Sequence, residues 1–592
     1  MRVADYIVQR VFEDCASHIF TVTGRGIIYL TDAAAKHGQV KCVPVHHEQA
    51  AAYAAVSYAA YTGKPGICLV STGCASTNAI TGVLCAWQDG IPCVFISGQN
   101  MLNETVNHTG LPIRTFGSQE MDIVPVVKPI TKYAVMLKDP KRIVYELDKA
   151  LYLAQNGVKG PVWLDIPLDI QNMRIEPDEL ERYVPDSDTT CVPLAKDISY
   201  VQRALQSSNR PVVLVGSGIR SAGAEAQLAE FVEKFKIPLV YAHSAPDVYG
   251  LEKDLSVGAV GSMYGTRAGN FAMQNSDLLL VIGCRLSSMT VGSEREEFAR
   301  AAKKIVVDIN PDEHTKNTVD IDRLITADAS LFLHELNETQ IMPSYNAWQD
   351  KCKHWKDLFP KCEESQRTSE RVDLYYLAEC LSETLPQNSV FLCDAGLEEL
   401  ILPSNIRFKS GMRCIHPAMQ GAMGFAVPGS IGASMASGAP VCAVVGDGSI
   451  MMNLQELETI RYNNLPVKII VVSNNMYSVI RKRQVELFRS RTIGTDPSNG
   501  VSCPDFSKVA DCFGIPYFHI SSSDGLKNGL ELILNMEGAV ICEVSAVFEQ
   551  EYLRDAYAIN SNRRLVHRPL EDLFPFIDRE LFRSEMVIEP LD

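Results

Sequence analysis

Positive charge is what this chain is short of. It holds 55 lysines and arginines against 71 aspartates and glutamates, a net charge of −16. A protein that grips a nucleic-acid backbone carries a cationic face, so this deficit argues against a polyanion partner. Long apolar runs are missing too. No stretch reaches the roughly 18 uninterrupted apolar residues that suggest a membrane span. The opening segment, MRVADYIVQRVFEDC, interleaves charges with apolar residues at helical spacing. It lacks the apolar run and cleavage site of a secretory leader, and a cytoplasmic protein is expected. No two of the 17 cysteines stand three apart, which removes the common zinc and dithiol spacings. Several lie inside strand-like runs such as GICLVS and PCVFIS. They read as small buried hydrophobes in a reducing compartment.

What remains is ordinary globular composition: 592 residues, 46% hydrophobic and 21% charged. That length exceeds one compact core and implies about three to four domains. Short β-branched runs recur at Ile67–Ser71, Cys93–Ser97, Val162–Ile166, Val212–Val215, Leu278–Ile282, Ile305–Ile309, Val441–Val445 and Ile469–Val472. Each ends in Gly, Ser, Asn or Pro, or just before one, and helical patterns separate them. Fully buried parallel strands read this way, so the expected class is α/β with doubly wound parallel sheets. Polar stretches at Arg174–Thr190 and Gln340–Arg371 divide the chain into similar thirds. The expected domains are 1–175, 190–338 and 370–560, with a tail at 561–592.

The strongest local signal is the run Val441–Val445 followed by Gly446-Asp447-Gly448-Ser449, an expected helix at Asn453–Asn463, a strand at Lys468–Val472, and Ser473-Asn474-Asn475. A strand end delivers a carboxylate between glycines that let backbone approach closely. The next helix is expected to offer free N–H groups to a phosphate. A second strand end delivers an amide oxygen. Carboxylate, amide and phosphate oxygens form a hard ligand set suited to Mg²⁺. A plain turn beside an Asx turn is the competing reading of each half alone.

The pair resembles the GDG…NN signature of thiamine-diphosphate (ThDP) enzymes. The resemblance implies Asp447, Asn474 and the Met476 carbonyl as Mg²⁺ ligands, with Asn475 the alternative to Asn474. It extends to the N-terminal third, where His46-His47-Glu48-Gln49-Ala50-Ala51-Ala52 is similar to a segment of acetolactate synthases. There the glutamate contacts the aminopyrimidine, which assigns that catalytic role to Glu48. An acid in an apolar cleft can hold a proton near neutrality. Ser71–Asn78, Gly98-Gln99, Ser118–Asp122, Lys128–Lys132, Gly160–Pro167 and Met423–Pro428 also match. The resemblance thus implies Gln119 and Lys132 as substrate-side residues. It implies Gly24, Thr72, Asn78, Gln99, Ala395, Gly396, Gln420, Met423, Gly446, Asp447, Gly448, Ser449, Asn474, Met476 and Tyr477 around the coenzyme.

Some positions depart from the pattern. Ala395-Gly396-Leu397-Glu398 stands where acetolactate synthases place VGQH, whose Gln and His contact the diphosphate, so that contact is missing or rebuilt. Ser118 replaces a Phe, and Tyr477-Ser478-Val479-Ile480 replaces the loop that shapes the second-substrate pocket. The segment Gln119–Val135 and Pro569-Leu570-Glu571-Asp572 resemble thiamine enzymes of surface-sugar gene clusters, some of which transfer an acetyl unit to a keto-deoxysugar. In the middle third, Gly216-Ser217-Gly218, Gly283-Cys284-Arg285 and Asp308 resemble the family's flavin domain, while Ser287 and Met289 replace flavin contacts. FAD binding stays open.

The expected activity is decarboxylation of a pyruvate-like 2-keto acid and transfer of its two-carbon fragment to an acceptor carbonyl. A decarboxylase or C–C lyase without acceptor, and a non-catalytic ThDP-binding relative, are the alternatives. The resemblance implies a homodimer or homotetramer, with Glu48 of one subunit meeting Asp447 of another.

Overall fold

The apolar runs marked in the sequence all become strands of three parallel sheets. A computed structural model describes residues 1–185, 191–250, 252–316, 319–340, 343–560 and 562–591. The first sheet contains β1 (His18–Thr21), β2 (Lys41–Pro44), β3 (Gly66–Val70), β4 (Cys93–Gln99), β5 (Tyr133–Met136) and β6 (Pro161–Pro167). Its order is β2-β1-β3-β4-β6-β5. The second contains β7 (Pro211–Val215), β8 (Leu239–Tyr241), β9 (Ser256–Ala259), β10 (Leu278–Ile282), β11 (Lys303–Asp308) and β12 (Arg323–Thr326). Its order is β12-β11-β10-β7-β8-β9. The third contains β13 (Val390–Cys393), β14 (Arg413–Ile415), β15 (Val441–Gly446), β16 (Val467–Ser473), β17 (Tyr517–Ile520) and β18 (Val540–Ser545), ordered β14-β13-β15-β16-β18-β17. Every residue of β3, β4, β6, β7 and β10 is buried. That explains why these runs show no polar alternation.

Each sheet reverses its order of addition beside its first strand, and the first and third sheets turn back again at their last strand. The first-strand reversals fall between β1 and β3, between β7 and β10, and between β13 and β15. Crevices open outside the strand carboxyl ends at such points, and ligands bind there. All three crevices are lined by the glycine-rich turns singled out in the sequence.

The first and third units lock together helix on helix. Helix Glu48–Thr62 buries every residue from Ala50 to Ala59, and it packs on helix Ala426–Ser437. A Cβ on Gly432 would lie 1.9 Å from the Ala54 carbonyl oxygen, so only glycine permits this approach.

The second polar stretch is not a linker. Its residues 346–358 form a helix whose Trp348, Cys352 and Trp355 are buried in the central unit, with Trp348 Nε1 donating to the Pro211 carbonyl at 3.0 Å. Residues 186–190 and 341–342 of the two polar stretches lie outside the described residues. The end of the chain differs from a simple tail. After Ser545 it leaves the third sheet, and by Asp555 its backbone is bonded to Ser262 of the central unit. An antiparallel pair, β19 (Tyr557–Ile559) with β20 (Leu565–His567), follows. Leu570 and Phe582 then enter the central hydrophobic core. Among the described residues, no helix is long and apolar enough to cross a membrane.

Candidate functional site

Three neighbouring strands of the third sheet aim their carboxyl ends at one place. β13 delivers Asp394 and Gly396, β15 delivers Gly446 and Asp447, and β16 delivers Asn474. Asp447 is 2% exposed. Its Oδ1 accepts from Gly448 N at 2.7 Å, and its Oδ2 accepts from Asn474 N at 2.8 Å and from Asn475 N. Burial raises the Asp447 carboxyl above its ordinary value, against the opposing pull of those N–H groups. Asn474 turns its Nδ2 to Ser478 Oγ at 2.7 Å, which leaves its carbonyl oxygen for a ligand. Asn475 is exposed, has a left-handed backbone (φ 57°), and uses its Oδ1 to accept from Cys503 N at 3.3 Å. A carboxylate, an amide oxygen and a main-chain carbonyl from Met476 suit a hard divalent cation.

The helix after this motif starts later than the sequence pattern indicates. Ile450–Met452 is a 3-10 turn, and the helix runs Glu456–Tyr462. Its first turn carries Glu456 and Glu458. The buried Glu456 carboxylate accepts from His46 N at 3.0 Å and from Thr459 Oγ1 at 2.7 Å. Two acids at that N-terminus oppose the approach of a phosphate there.

Ser449 serves the frame. Its hydroxyl donates to Asp394 Oδ2 at 2.5 Å. The buried Asp394 also accepts from Gly424 N at 2.9 Å and from Ala426 N, fixing the Met423–Phe425 turn. Burial raises Asp394 to about 6. The sequence signal for Asp394 was present but unread: an acid at a strand end before Ala395-Gly396. Met423 is half-buried beside this turn. Gln420 donates to the Thr81 carbonyl at 2.7 Å, while its Oε1 is buried without a partner.

Glu398 stands in the segment that departs from the VGQH pattern. Its carboxyl is wedged between two glycines: a Cβ on Gly396 would lie 2.5 Å from Oε2, and one on Gly446 would lie 2.8 Å from Oε1. Gly396 has φ 135°, a conformation that favours glycine. Burial, with Asp394 and Asp447 nearby, pushes Glu398 up to about 8. Gly448 is equally constrained, its Cβ position lying 2.0 Å from the Tyr477 ring.

In the first sheet, the β1 and β3 turns interlock. A Cβ on Gly24 would meet Ser71 Oγ at 2.3 Å, and one on Gly26 would meet Thr72 Oγ1 at 2.1 Å. Glu48 opens its helix, and its Oε2 accepts from Asn78 Nδ2 at 2.9 Å in an exposed contact. Gln49 Oε1 accepts from Asn453 Nδ2 at 3.1 Å, and the same amide donates to the Gly424 carbonyl at 2.7 Å. The helix start is thereby tied to the Met423 turn. Gln119 has a left-handed backbone (φ 60°) and an exposed side chain, and its carbonyl lies against Gly73, next to Thr72.

Two expected residues are placed differently. Gln99 is 1% exposed and its amide is fully engaged. Nε2 donates to the Met121 carbonyl at 2.8 Å and to Asp165 at 3.2 Å, while Oε1 accepts from Asn100 N at 3.0 Å. It shapes the turn and presents nothing to a ligand. Lys132 does not join Gln119. It lines a separate cavity of about 620 Å³ between the first and central units, with Trp87, Gly216, Gly218, Gly283 and Arg285. There its Nζ donates to the Asn156 carbonyl at 2.6 Å, and burial lowers it to about 8.

That cavity is the crevice of the second sheet. A Cβ on Gly218 would come 2.6 Å from Gly283 Cα. Arg285 gives one N–H to the Gln88 carbonyl at 2.6 Å, while its Nε faces the Glu313 carboxylate at 3.7 Å. Asp308 is spent on Asn310 N at 2.9 Å and His314 Nε2 at 3.1 Å.

Comparisons with known proteins agree with this geometry. Residues 1–124 match the "Thiamine pyrophosphate enzyme, N-terminal TPP binding domain", residues 198–336 the central domain, and residues 394–544 the C-terminal TPP binding domain. The chain is 31% identical over 561 residues to the acetolactate synthase large subunit of Haemophilus influenzae, covering 93% of this chain and 95% of the relative. It is 30% identical over 550 residues to the acetolactate synthase isozyme 2 large subunit of Escherichia coli, covering 92% and 95%. It is 28% identical over 569 residues to the chloroplastic acetolactate synthase of Arabidopsis thaliana, covering 93% and 82%.

Proposed function

The chain belongs to the thiamine-pyrophosphate enzymes of the acetolactate synthase kind, and we propose that it decarboxylates pyruvate and joins the two-carbon fragment to an acceptor carbonyl. The observation that carries this reading is the convergence of β13, β15 and β16 on Asp447 and Asn474, an oxygen-only cradle for a magnesium diphosphate, on a chain that retains Glu48. ThDP, when bound, supplies the electron sink for decarboxylation. Asp447, Asn474 and the Met476 carbonyl hold the Mg²⁺, with Asn474 favoured over Asn475 because Asn475 Oδ1 is already bonded to Cys503 N. Glu48, oriented by Asn78, would contact the pyrimidine ring and exchange a proton with it. Met423 supports the coenzyme from the turn fixed by Asp394. Gln420, whose Oε1 has no hydrogen-bond partner among the described residues, stands three residues before Met423. The acceptor meets Gln119 and the loop after Tyr477.

A second copy completes the site. The contact between Glu48 and Asn78 is exposed in one chain, and so are Met451 and Met452 beside the Gly424 turn, at 43% and 50%. An acid that must work in a dry cleft, and methionines this open, both call for a covering surface. The central cavity, lined by Gly216, Gly218, Gly283 and Arg285, has room for one additional ligand, FAD in a structural role. Flavin released from the purified protein by heat, read by its absorption, checks that assignment.

The whole reading is tested by incubating the protein with Mg²⁺, ThDP and pyruvate, with and without an acceptor ketone. Release of CO₂ and an acceptor-dependent ligation product are expected. Free acetaldehyde as the sole product in both arms would establish a simple decarboxylase instead. Absence of calorimetric ThDP binding with Mg²⁺ present would overturn the reading.

A further inference from the structure

The chain as a whole is acidic, yet one excursion beside the site is basic. Residues 478–494 contain Arg481, Lys482, Arg483, Arg489 and Arg491 against the single acid Glu486. The excursion is pinned at its base, where Tyr477 N donates to the Thr495 carbonyl at 2.8 Å. Arg481 Nε reaches Asp496 at 3.0 Å, and Asn499 knots the same corner to Thr495 and Asp496. The Tyr477 ring rests on Gly448, so the excursion rises directly from the diphosphate turn.

Its helix, Ser478–Leu487, buries none of its residues. Ile480, Leu487 and Phe488 stand 55%, 64% and 49% exposed. The cations divide into two groups. Arg481 pairs with Asp496 and Glu549, Lys482 with Glu551, and Arg483 with Glu486, which Arg554 also engages. Arg489 and Arg491 form no ion pair and no side-chain hydrogen bond among the described residues. A left-handed turn at Arg489 and Ser490 (φ 52° and 63°), closed by Ser490 N on the Val485 carbonyl, carries both of them at the tip. Two unneutralised guanidinium forks beside open apolar side chains match an organic phosphate: the forks take a tetrahedral dianion bidentately, and the apolar residues take its carbon skeleton.

We propose that Arg489 and Arg491 bind the phosphate group of a phosphorylated acceptor, holding its carbonyl over the site beside Gly448. This rests on the carboligation reading above and names the class of its second substrate. The test uses the full-length enzyme loaded with Mg²⁺ and ThDP, pyruvate as donor, and two acceptors that differ only in the phosphate, glyceraldehyde and glyceraldehyde 3-phosphate. The wild type is expected to show the lower KM for the phosphorylated acceptor. The doubly substituted Arg489→Ala, Arg491→Ala variant is expected to raise that KM by about tenfold or more and to leave the KM for glyceraldehyde within about twofold, a split that a folding defect would not give. Calorimetry with glyceraldehyde 3-phosphate should show binding to the wild type that the variant loses. No calorimetric binding to the wild type, or a KM change equal for both acceptors, overturns the proposal. Arginine-dependent phosphate binding without any CO₂ release from pyruvate would uphold this site and overturn the carboligation reading.

Discussion

The Tyr477 ring covers Gly448 so closely that a Cβ there would sit 2.0 Å from Cε1. The phosphate turn and the loop above it are thus a single packed unit. Gly448→Ala must displace the ring or distort the turn. The expected result is a loss of ThDP affinity of about tenfold or more, measured by calorimetry with Mg²⁺. Gly448→Ala with Tyr477→Ala should recover part of that loss, since the clash partner is gone; a double variant no better than the single would show that the strain lies in the backbone.

Glu48 and Asn78 form one unit through their 2.9 Å hydrogen bond. Glu48→Gln keeps the shape and removes the proton exchange. Turnover is expected to fall by about a hundredfold or more, the usual scale for a positioned acid or base, while ThDP still binds. Asn78→Ala should fall less, because the acid remains but is free to turn. Steady-state CO₂ release with calorimetry on the same samples reads both effects.

Asn474 and Asn475 are adjacent yet differently used. Asn474→Ala is expected to weaken Mg²⁺-dependent ThDP binding by about tenfold or more. Asn475→Ala, which frees only the Cys503 N–H, should change it little. Titration with Mg²⁺ at fixed ThDP separates them, and the reverse ranking would move the ligand to Asn475.

Glu398 should tilt stability with pH. Its carboxyl is raised from 4.5 to about 8 by burial and the nearby acids. A raised carboxyl binds its proton more tightly in the folded state, so its contribution is full below the unfolded value and is lost as pH rises through about 8. The melting temperature of the coenzyme-free protein is expected to fall between about pH 5 and about pH 8, and Glu398→Gln should flatten that slope. An unchanged slope would place the titrating group elsewhere.

The sheets were legible because buried parallel strands concentrate Val, Ile and Leu with no alternation, and β7 or β10 admits no other reading. The strand-end positions of Asp447 and Asn474 were legible because each closely follows a buried apolar run, and they stand at the ends of β15 and β16. Glu398 was not, since an acid at the second position of a helix reads as a dipole partner until the two glycines around it are seen. Gln99 misled for a related reason: a residue can border a site yet spend its whole amide on the turn. The late start of the helix at Glu456 depends on Asn453 bonding across to Gln49, and the place of Lys132 depends on how two units meet. Contacts of that range leave no trace in local pattern. Residues 570–588 were hardest, because their partners in the central unit precede them by about 300 positions.

That late return has a consequence for how the molecule is made. Asn270 donates to the Leu570 carbonyl, Gln274 to Glu571, and Asn275 accepts from Val587 N, while Phe582 stacks edge-on against Phe271. The middle third therefore completes its own interior only once a segment about 300 positions further along the chain packs against it.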